Sequence, residues 1–262
     1  MKNFIKTILR YINSINNRNI QDLKEISTNI ISDLIRKNEH KLKRNSLDVE
    51  KIFSLIQDLK GTSFVESLKI IESIILTIDL DGDICEFGVA QGKTSKLISY
   101  LIKDTSKKIY LYDSFEGLPK PTKKDILKND IFNLGKMESY EGKMSHNEKK
   151  VLNELKIINF DIKKVEVNKG FFNKDNLKTF NFPKAIAFAY IDFDFYQPTV
   201  DVLNVINDKM IKDSIFIVDD YDFFSTGAKT ALDEWYTKNK ERYTLEVIKT
   251  TNSSFAIIKK VI

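Results

Sequence analysis

Residues 84–102 read ICEFGVAQGKTSKLISYLI. The first part is a short apolar run, a turn with two glycines follows, and apolar residues then recur at helical spacing from Lys93 onward. A strand, a glycine turn and an amphipathic helix in this order are typical of the first βα unit of a parallel sheet. Before the strand, a predicted helix from 62 to about 78 ends in the turn signal Asp81-Gly82-Asp83.

The same alternation continues along the chain. Apolar runs predict strands at 108–112, 165–167, 185–191 and 214–218, and amphipathic stretches predict helices at about 198–210 and 228–239. The run at 185–191 is apolar throughout, as expected for a central strand covered by helices on both faces. Two last strands, 243–249 and 254–260, are predicted to form an antiparallel edge. The sequence therefore predicts an α/β fold with a doubly wound, mostly parallel, Rossmann-like sheet.

Two regions lie outside this alternation. Residues 1–60 have helical patterning, which begins with Ile5, Ile8, Leu9 and Ile12. They form either a helical cap that mediates oligomerisation or helices packed on the main domain, which we place at 61–262. A polar stretch at about 119–150 is too long for an ordinary connection, and we favour a lid over a binding loop or a disordered insertion.

Composition excludes several classes of protein. The 42 Lys and Arg against 37 Asp and Glu give a net charge of only +5, and the lysines are scattered, which argues against nucleic acid as a partner. A single cysteine, Cys85, excludes an intrachain disulfide framework and favours a reducing cytoplasm. No apolar stretch is long enough for a membrane span, and the N-terminus lacks a secretory pattern.

The glycine turn and the end of the second strand predict a nucleoside site. Gly88 and Gly92 allow a ligand to approach the backbone closely, but the turn lacks both the dinucleotide fingerprint and a phosphate-binding loop, so NAD and ATP are disfavoured. Asp113, followed by Ser114, closes the second strand, where an acid can accept hydrogen bonds from both ribose hydroxyls. Together they indicate an adenosine-like ligand.

Carboxylates end two further strands. Asp192 and Asp194 follow 185–191 and would share a face if the chain is extended there, and Asp219 and Asp220 follow 214–218. All four should reach the carboxyl edge of the sheet, where ligands bind. Because converging carboxylates repel one another, a cation such as Mg²⁺ or Mn²⁺ is expected among them.

In this order, the motifs EFGVAQG, YDSFEGLP, NKGFF, YIDFDFYQPT and IVDDY resemble those of the macrocin and mycinamicin O-methyltransferases of macrolide sugars and the related noviose methyltransferase, over about 84–235. The resemblance implies a class I methyltransferase fold, S-adenosylmethionine bound by Glu86, Gly88 and Asp113, with Gly92 and Ser114 as further candidates, and an oligomer, which we take as a homodimer. It implies metal ligands at Asp192, Asp219 and Asp220 and a general base at Asp194. The lid does not match the family's pattern, and His146 is the one candidate for the histidine that some members use there.

The expected reaction is metal-dependent transfer of a methyl group to a sugar hydroxyl in a glycan, nucleotide-sugar or natural product. The alternative is a metal-dependent nucleotide-sugar glycosyltransferase, because an Asp-x-Asp motif at a strand end can also hold a metal on a diphosphate. That alternative assigns no role to Gly88 or to the pair Asp219 and Asp220. A methyltransferase acting on RNA would need a basic face near the site, whereas residues 192–222 are acidic.

Overall fold

The computed structural model describes residues 20–42 and 47–262. Its centre is a seven-stranded sheet of order β3-β2-β1-β4-β5-β7-β6. The first five strands pair in parallel, and β7 runs antiparallel to both β5 and β6. The predicted doubly wound sheet with an antiparallel C-terminal edge is therefore confirmed. The strands are β1 (Asp83–Phe87), β2 (Ile109–Asp113), β3 (Val165–Lys169), β4 (Ile186–Ile191), β5 (Met210–Val218), β6 (Tyr243–Lys249) and β7 (Ser254–Lys260).

Helices cover both faces of the sheet because side chains alternate along each strand. Ile84 packs in one hydrophobic cluster with residues of α1 to α6, whereas Cys85 and Phe87 pack in a second cluster with residues of α7 and α8. Every residue of β4 is buried, which explains its uninterrupted apolar run. The helices are α1 (Ile20–Lys37), α2 (Glu39–Leu42), α3 (Val49–Gln57), α4 (Phe64–Thr77), α5 (Lys93–Ile102), α6 (Glu148–Ile157), α7 (Tyr196–Asn207) and α8 (Gly227–Asn239).

The described helices before residue 60 pack on the main domain. Ile31 of α1 and Ile52 of α3 are fully buried in the same cluster as Ile71 of α4 and Ile98 of α5. The patterning at Ile5, Ile8, Leu9 and Ile12 lies outside the described residues. A division near residue 60 and a role in assembly therefore stay predictions.

The polar segment, predicted at about 119–150, ends at 147, and α6 begins at Glu148. Leu127 forms an isolated antiparallel bridge with Ser225, which lies between β5 and α8. Further along the segment, a 3₁₀ turn at Met137–Tyr140 contributes to a small third cluster. That cluster joins Met137 and Tyr140 of the segment to Leu118, Phe195 and Phe224, which lie outside it. The segment is thus packed on the rest of the domain through apolar side chains and lies over the carboxyl edge of the sheet. Among the described residues, no helix is long and apolar enough to cross a membrane.

Candidate active site

A cavity of about 910 Å³ opens at the carboxyl ends of β1, β4 and β5. The strand order reverses between β1 and β4, which is where doubly wound sheets bind ligands. The walls of the cavity are formed by the turn after β1, by the residues that follow β2, β3, β4 and β5, and by the polar segment before α6. The predicted site residues Gly88, Asp113, Ser114, Asp192, Asp194, Asp219 and Asp220 all line it.

The glycine turn is packed against the end of β4. Gly88 has φ of +87°, and a Cβ on it would lie 1.9 Å from the carbonyl oxygen of Asp192. The N–H of Asp192 in turn donates to the carbonyl of Phe87 at 2.7 Å. Only glycine fits this approach, so the turn and the first carboxylate are held together by backbone contact. Gly92 does not line the cavity. It faces α6 instead, and a Cβ on Gly92 would lie 2.9 Å from Cγ1 of Val151.

The carboxylate of Asp113 ties β2 to the glycine turn. One oxygen accepts from the N–H groups of Val89 and Ala90, at 2.7 and 2.9 Å, and the other accepts from Phe115 at 2.6 Å. The Ser114 hydroxyl donates to the carbonyl of Gly117 at 3.0 Å. Three backbone donors therefore fix the orientation of this carboxylate.

Glu86 is fully buried in β1 and does not line the cavity. Burial raises the pKa of its carboxyl to about 8; the Ser95 side chain opposes the increase and the charge of Asp113 adds to it. The geometry thus places Glu86 beneath the turn, and its predicted contact with the cofactor stays a prediction.

Three carboxylates converge beside the glycine turn. One oxygen each of Asp192, Asp194 and Asp220 lies within 4.8 Å of the other two. The convergence does not come from an extended chain, as the sequence suggested: Asp194 has φ of +60° and Asp220 has φ of +51°, so both backbones turn into the left-handed region. Left-handed non-glycine residues are uncommon and concentrate at functional sites.

Asp219 lines the same cavity but is held differently. One of its oxygens accepts from the Tyr190 hydroxyl and the other from the N–H of Asp220, both at 2.7 Å. The converging group thus contains Asp194, where the predicted ligand set has Asp219. That set is a prediction which these distances leave open.

The converging carboxylates share an environment that disfavours negative charge. Removal from water raises the pKa of Asp192 and Asp220 well above the usual range, and nearby carboxylates raise both further. The same two causes raise the pKa of Asp194 to about 8. Such a group must hold either protons or a cation, and its all-oxygen donor set suits Mg²⁺ or Mn²⁺.

The polar segment forms the outer wall of the cavity. Ile131 and Phe132 line it, and His146 does so at the end next to α6. Burial lowers the pKa of His146, and Lys150 lowers it further. Asp125 fastens the segment to α7 by accepting from the N–H of Tyr196 at 2.6 Å. The segment lies along the cavity, and its role as a lid stays a prediction.

No sequence motif singled out Glu66 or Tyr190 as a site residue. The Tyr190 hydroxyl lies 3.0 Å from an oxygen of Glu66 and 2.7 Å from Asp219, and all three residues are buried. Burial raises the pKa of Glu66 well above its usual range, and Asp219 adds to the increase. In sequence, Ser63-x-x-Glu66 is the pattern of a helix capping box, which hides any inward role of the glutamate.

Comparison with known proteins identifies the family to which the chain belongs. The model of the family described as Macrocin-O-methyltransferase (TylF) matches residues 13–256. No curated protein matches the sequence. The glycosyltransferase alternative receives no support from the family match.

Three solved structures of methyltransferases have a similar fold. The O-methyltransferase NovP is 20% identical, with a TM-score of 0.60, covering 84% of this chain and 83% of its own. The calicheamicin methyltransferase CalS11 is 19% identical, with a TM-score of 0.58 and coverage of 87% and 91%. A Bacillus cereus O-methyltransferase in complex with SAH is 10% identical, with a TM-score of 0.52 and coverage of 88% and 99%. At these identities the likeness shows the fold.

Proposed function

The chain belongs to the macrocin O-methyltransferase (TylF) family and is an S-adenosylmethionine-dependent O-methyltransferase, and from this premise we propose that it methylates a sugar hydroxyl with the help of a divalent cation. The observation that carries the proposal is the convergence of Asp192, Asp194 and Asp220 beside the glycine turn, in one cavity. Residues of the glycine turn would hold the cofactor, which would supply the methyl group, in the cavity that these carboxylates line.

The cofactor would bind along the carboxyl ends of β1 and β2. Gly88 allows close approach to the backbone, and Asp113 and Ser114 line the cavity at the position expected for ribose. Gly92 and Glu86 would act indirectly, by packing the turn against α6 and by supporting it from below. The complex of the Bacillus cereus enzyme with SAH shows that this fold accommodates the cofactor product.

A cation fits the carboxylate group. Asp192 and Asp220 would hold it together with Asp219, or with Asp194, which completes the converging set. When bound, a divalent cation supplies positive charge that lowers the pKa of an acceptor hydroxyl and helps to orient it. The carboxylates of this chain then need no protons to coexist, since the cation offsets their repulsion.

Asp194 is proposed as the base that accepts the hydroxyl proton. The hydroxyl oxygen attacks the methyl carbon, the bond from carbon to sulfur breaks, and the proton passes to the Asp194 carboxylate, which yields an ether and S-adenosylhomocysteine. Its left-handed backbone and 7% exposure fix the carboxylate in the cavity. A positioned base of this kind contributes about 10²–10⁴-fold to a rate.

A sugar is the proposed acceptor. CalS11, in a second structure, is described as a TDP-rhamnose 3'-O-methyltransferase. The cavity of about 910 Å³ lies at the upper end of the usual range for ligand pockets of about 300–1,000 Å³. A cofactor and a sugar can therefore occupy it together. Aromatic wall residues such as Phe132 and Phe223 offer faces for a sugar ring.

Isothermal titration calorimetry tests the proposal. The purified protein is titrated with S-adenosylhomocysteine, with Mg²⁺ before and after EDTA treatment, and with UDP-sugars as a control. Micromolar binding of S-adenosylhomocysteine and separate binding of Mg²⁺ support it and direct the work to sugar acceptors. Metal-dependent binding of UDP-sugars without binding of the cofactor product would overturn it in favour of a glycosyltransferase.

A further inference from the structure

A buried chain of hydrogen bonds connects helix α4 to the carboxylates of the cavity. Glu66 lies in the first turn of α4, beneath the sheet, and it is fully buried, as is Tyr190 of β4. The Tyr190 hydroxyl lies 3.0 Å from Oε1 of Glu66 and 2.7 Å from Oδ2 of Asp219. Glu66 does not line the cavity, so it has no direct route to a ligand.

The series of hydrogen bonds continues from Asp219 to the converging carboxylates. Oδ1 of Asp219 accepts from the N–H of Asp220 at 2.7 Å. Asp220 adopts φ of +51° and contributes its carboxylate to the group with Asp192 and Asp194. The position of the Asp219 side chain therefore also fixes the peptide that presents Asp220.

At the Glu66 end of this series of hydrogen bonds, further bonds hold the first turn of α4 in place. The N–H of Glu66 donates to the hydroxyl of Ser63, the residue that precedes α4, at 3.2 Å. That hydroxyl in turn accepts from Ser253, in the turn between β6 and β7, at 2.8 Å. The first turn of α4 is thus held to the C-terminal edge of the sheet, and Glu66 starts from a fixed position.

We propose that Glu66 is a positioning residue for the metal-binding carboxylates, acting through Tyr190 on Asp219 and, through the Asp219 side chain, on Asp220. The inference rests on the proposed function in one respect, since it requires that these carboxylates bind a cation. Partners that orient metal ligands from behind typically change metal affinity or activity by about 10–100-fold when they are removed.

The hydrogen-bond geometry suggests how to vary Glu66. A tyrosine hydroxyl has a single proton, so it can donate to one of its two carboxyl neighbours, and the other must donate to the hydroxyl oxygen. In Glu66→Gln, the amide N–H can donate to Tyr190 while the hydroxyl donates to Asp219. Glu66→Leu removes this contact with little change in volume, and Tyr190→Phe removes the hydroxyl alone.

Mn²⁺ is the probe. The full-length protein and each variant are freed of metal with EDTA, dialysed, saturated with S-adenosylhomocysteine and titrated with Mn²⁺ by calorimetry. Tyr243→Phe is the matched control: that buried hydroxyl of β6 bonds to Asn207, at 3.2 and 3.1 Å, away from the cavity. Thermal unfolding of every variant is measured in parallel.

We expect Glu66→Leu and Tyr190→Phe to weaken Mn²⁺ binding by about 10–100-fold, while Glu66→Gln retains most of the affinity. The affinity for S-adenosylhomocysteine should not change, and Tyr243→Phe should lower the melting temperature without affecting Mn²⁺. Wild-type Mn²⁺ affinity in both Glu66→Leu and Tyr190→Phe would overturn the inference. So would a wild-type protein that binds S-adenosylhomocysteine but no Mn²⁺, whereas a protein that binds neither would instead contradict the proposed function.

Discussion

A methyl group on Gly88 has no room, because its Cβ would lie 1.9 Å from the carbonyl oxygen of Asp192. Gly135 has a similar φ, +81° against +87°, but nothing lies within 4 Å of its Cβ position. We expect Gly135→Ala to lower the free energy of unfolding by about 1–2 kcal/mol, the cost of a left-handed L-residue. Gly88→Ala should lower the free energy of unfolding clearly more. It should also abolish binding of S-adenosylhomocysteine, because the turn must move off β4. Urea unfolding and calorimetry measure both quantities, and equal losses in the two variants would contradict the steric argument.

Asp194→Asn isolates the proposed base. The amide keeps the size of the side chain but cannot accept the hydroxyl proton, so we expect kcat to fall by about 10²–10⁴-fold with the acceptor found by screening. Binding of S-adenosylhomocysteine should stay at the wild-type level. Asp201→Asn, at a buried carboxyl of α7 outside the cavity lining, is the control and should keep its kcat. Unchanged turnover in Asp194→Asn would remove this residue from the role of base.

Glu86 makes stability depend on pH. Its pKa in the folded protein is about 8 against an ordinary 4.5, so the folded state binds the proton more tightly than the unfolded state does. The stabilisation is complete below about pH 4.5 and is lost as the pH rises through about 8, a change of at most about 5 kcal/mol. Glu86→Gln should remove it, so the stability of wild type relative to the variant should fall from pH 5 to pH 8. Urea unfolding at three pH values tests this, and a constant difference would refute it.

At the level of single residues, the sequence predicted that four carboxylates reach one edge of the sheet, but not which three converge or how. The alternation of a strand placed Asp192 and Asp194 on one face, whereas a left-handed turn at Asp194 brings them together. The roles of Glu66 and Tyr190 depend on α4 packing beneath β4, a long-range contact that no local pattern encodes. Asp113 was identified as a site residue, but its three bonds to backbone N–H groups could be seen only in three dimensions.

Among the secondary-structure elements, the strands were predictable and α6 was not. Most strands are apolar or alternating runs bounded by turn residues, and the predicted bounds of β6 and β7 agree with the structure. The start of β5 was wrong, because the strand begins at Met210, where the sequence predicted the end of a helix. Helix α6 has only two fully buried apolar residues, Val151 and Leu155. Its third buried position is Glu154, which pairs with Lys93 and Lys96 of α5 at 2.8 Å. A charged residue on the inner face interrupts the apolar pattern on which prediction of a helix depends.

The position of the polar segment over the cavity depends on hydrogen bonds to Asp125. This 5% exposed carboxylate accepts from Tyr196 at the start of α7 and, within the segment, from both the N–H and the hydroxyl of Thr122. Asp125→Ala leaves partly buried donors without this partner, at a cost to the free energy of unfolding of about 1 kcal/mol. We expect faster hydrogen–deuterium exchange across residues 119–135 and wild-type binding of S-adenosylhomocysteine.

Asp161→Ala is a control for the loss of a bond between a side chain and the backbone. Asp161 caps a short 3₁₀ turn away from the cavity and accepts from Lys163 at 3.0 Å. The Asp161→Ala variant should leave hydrogen–deuterium exchange across residues 119–135 unchanged. Equal exchange of that segment in wild type and Asp125→Ala would show that its own cluster around Tyr140 holds it in place without Asp125.

For the whole molecule, one face of the sheet depends on the helices before residue 60. Four of their residues, Ile31, Leu34, Ile52 and Leu55, are at most 3% exposed and lie in the cluster that covers this face. At about 1.5–3 kcal/mol for each buried side chain, they contribute about 6–12 kcal/mol together. That is comparable to the total stability of a domain, about 5–15 kcal/mol.

Two truncations therefore separate packing from assembly. A protein of residues 61–262 should fail to fold or should aggregate, because removing α1 to α3 exposes the apolar surface of α4 and α5. A protein of residues 20–262 keeps all of these helices, so it should match the full chain in melting temperature and in binding of S-adenosylhomocysteine. If residues 1–19 mediate the proposed homodimer, light scattering will show a dimer for the full chain and a monomer for 20–262. A folded 61–262 would instead establish the boundary near residue 60 as a true domain boundary, and a dimeric 20–262 would place the assembly surface elsewhere in the chain.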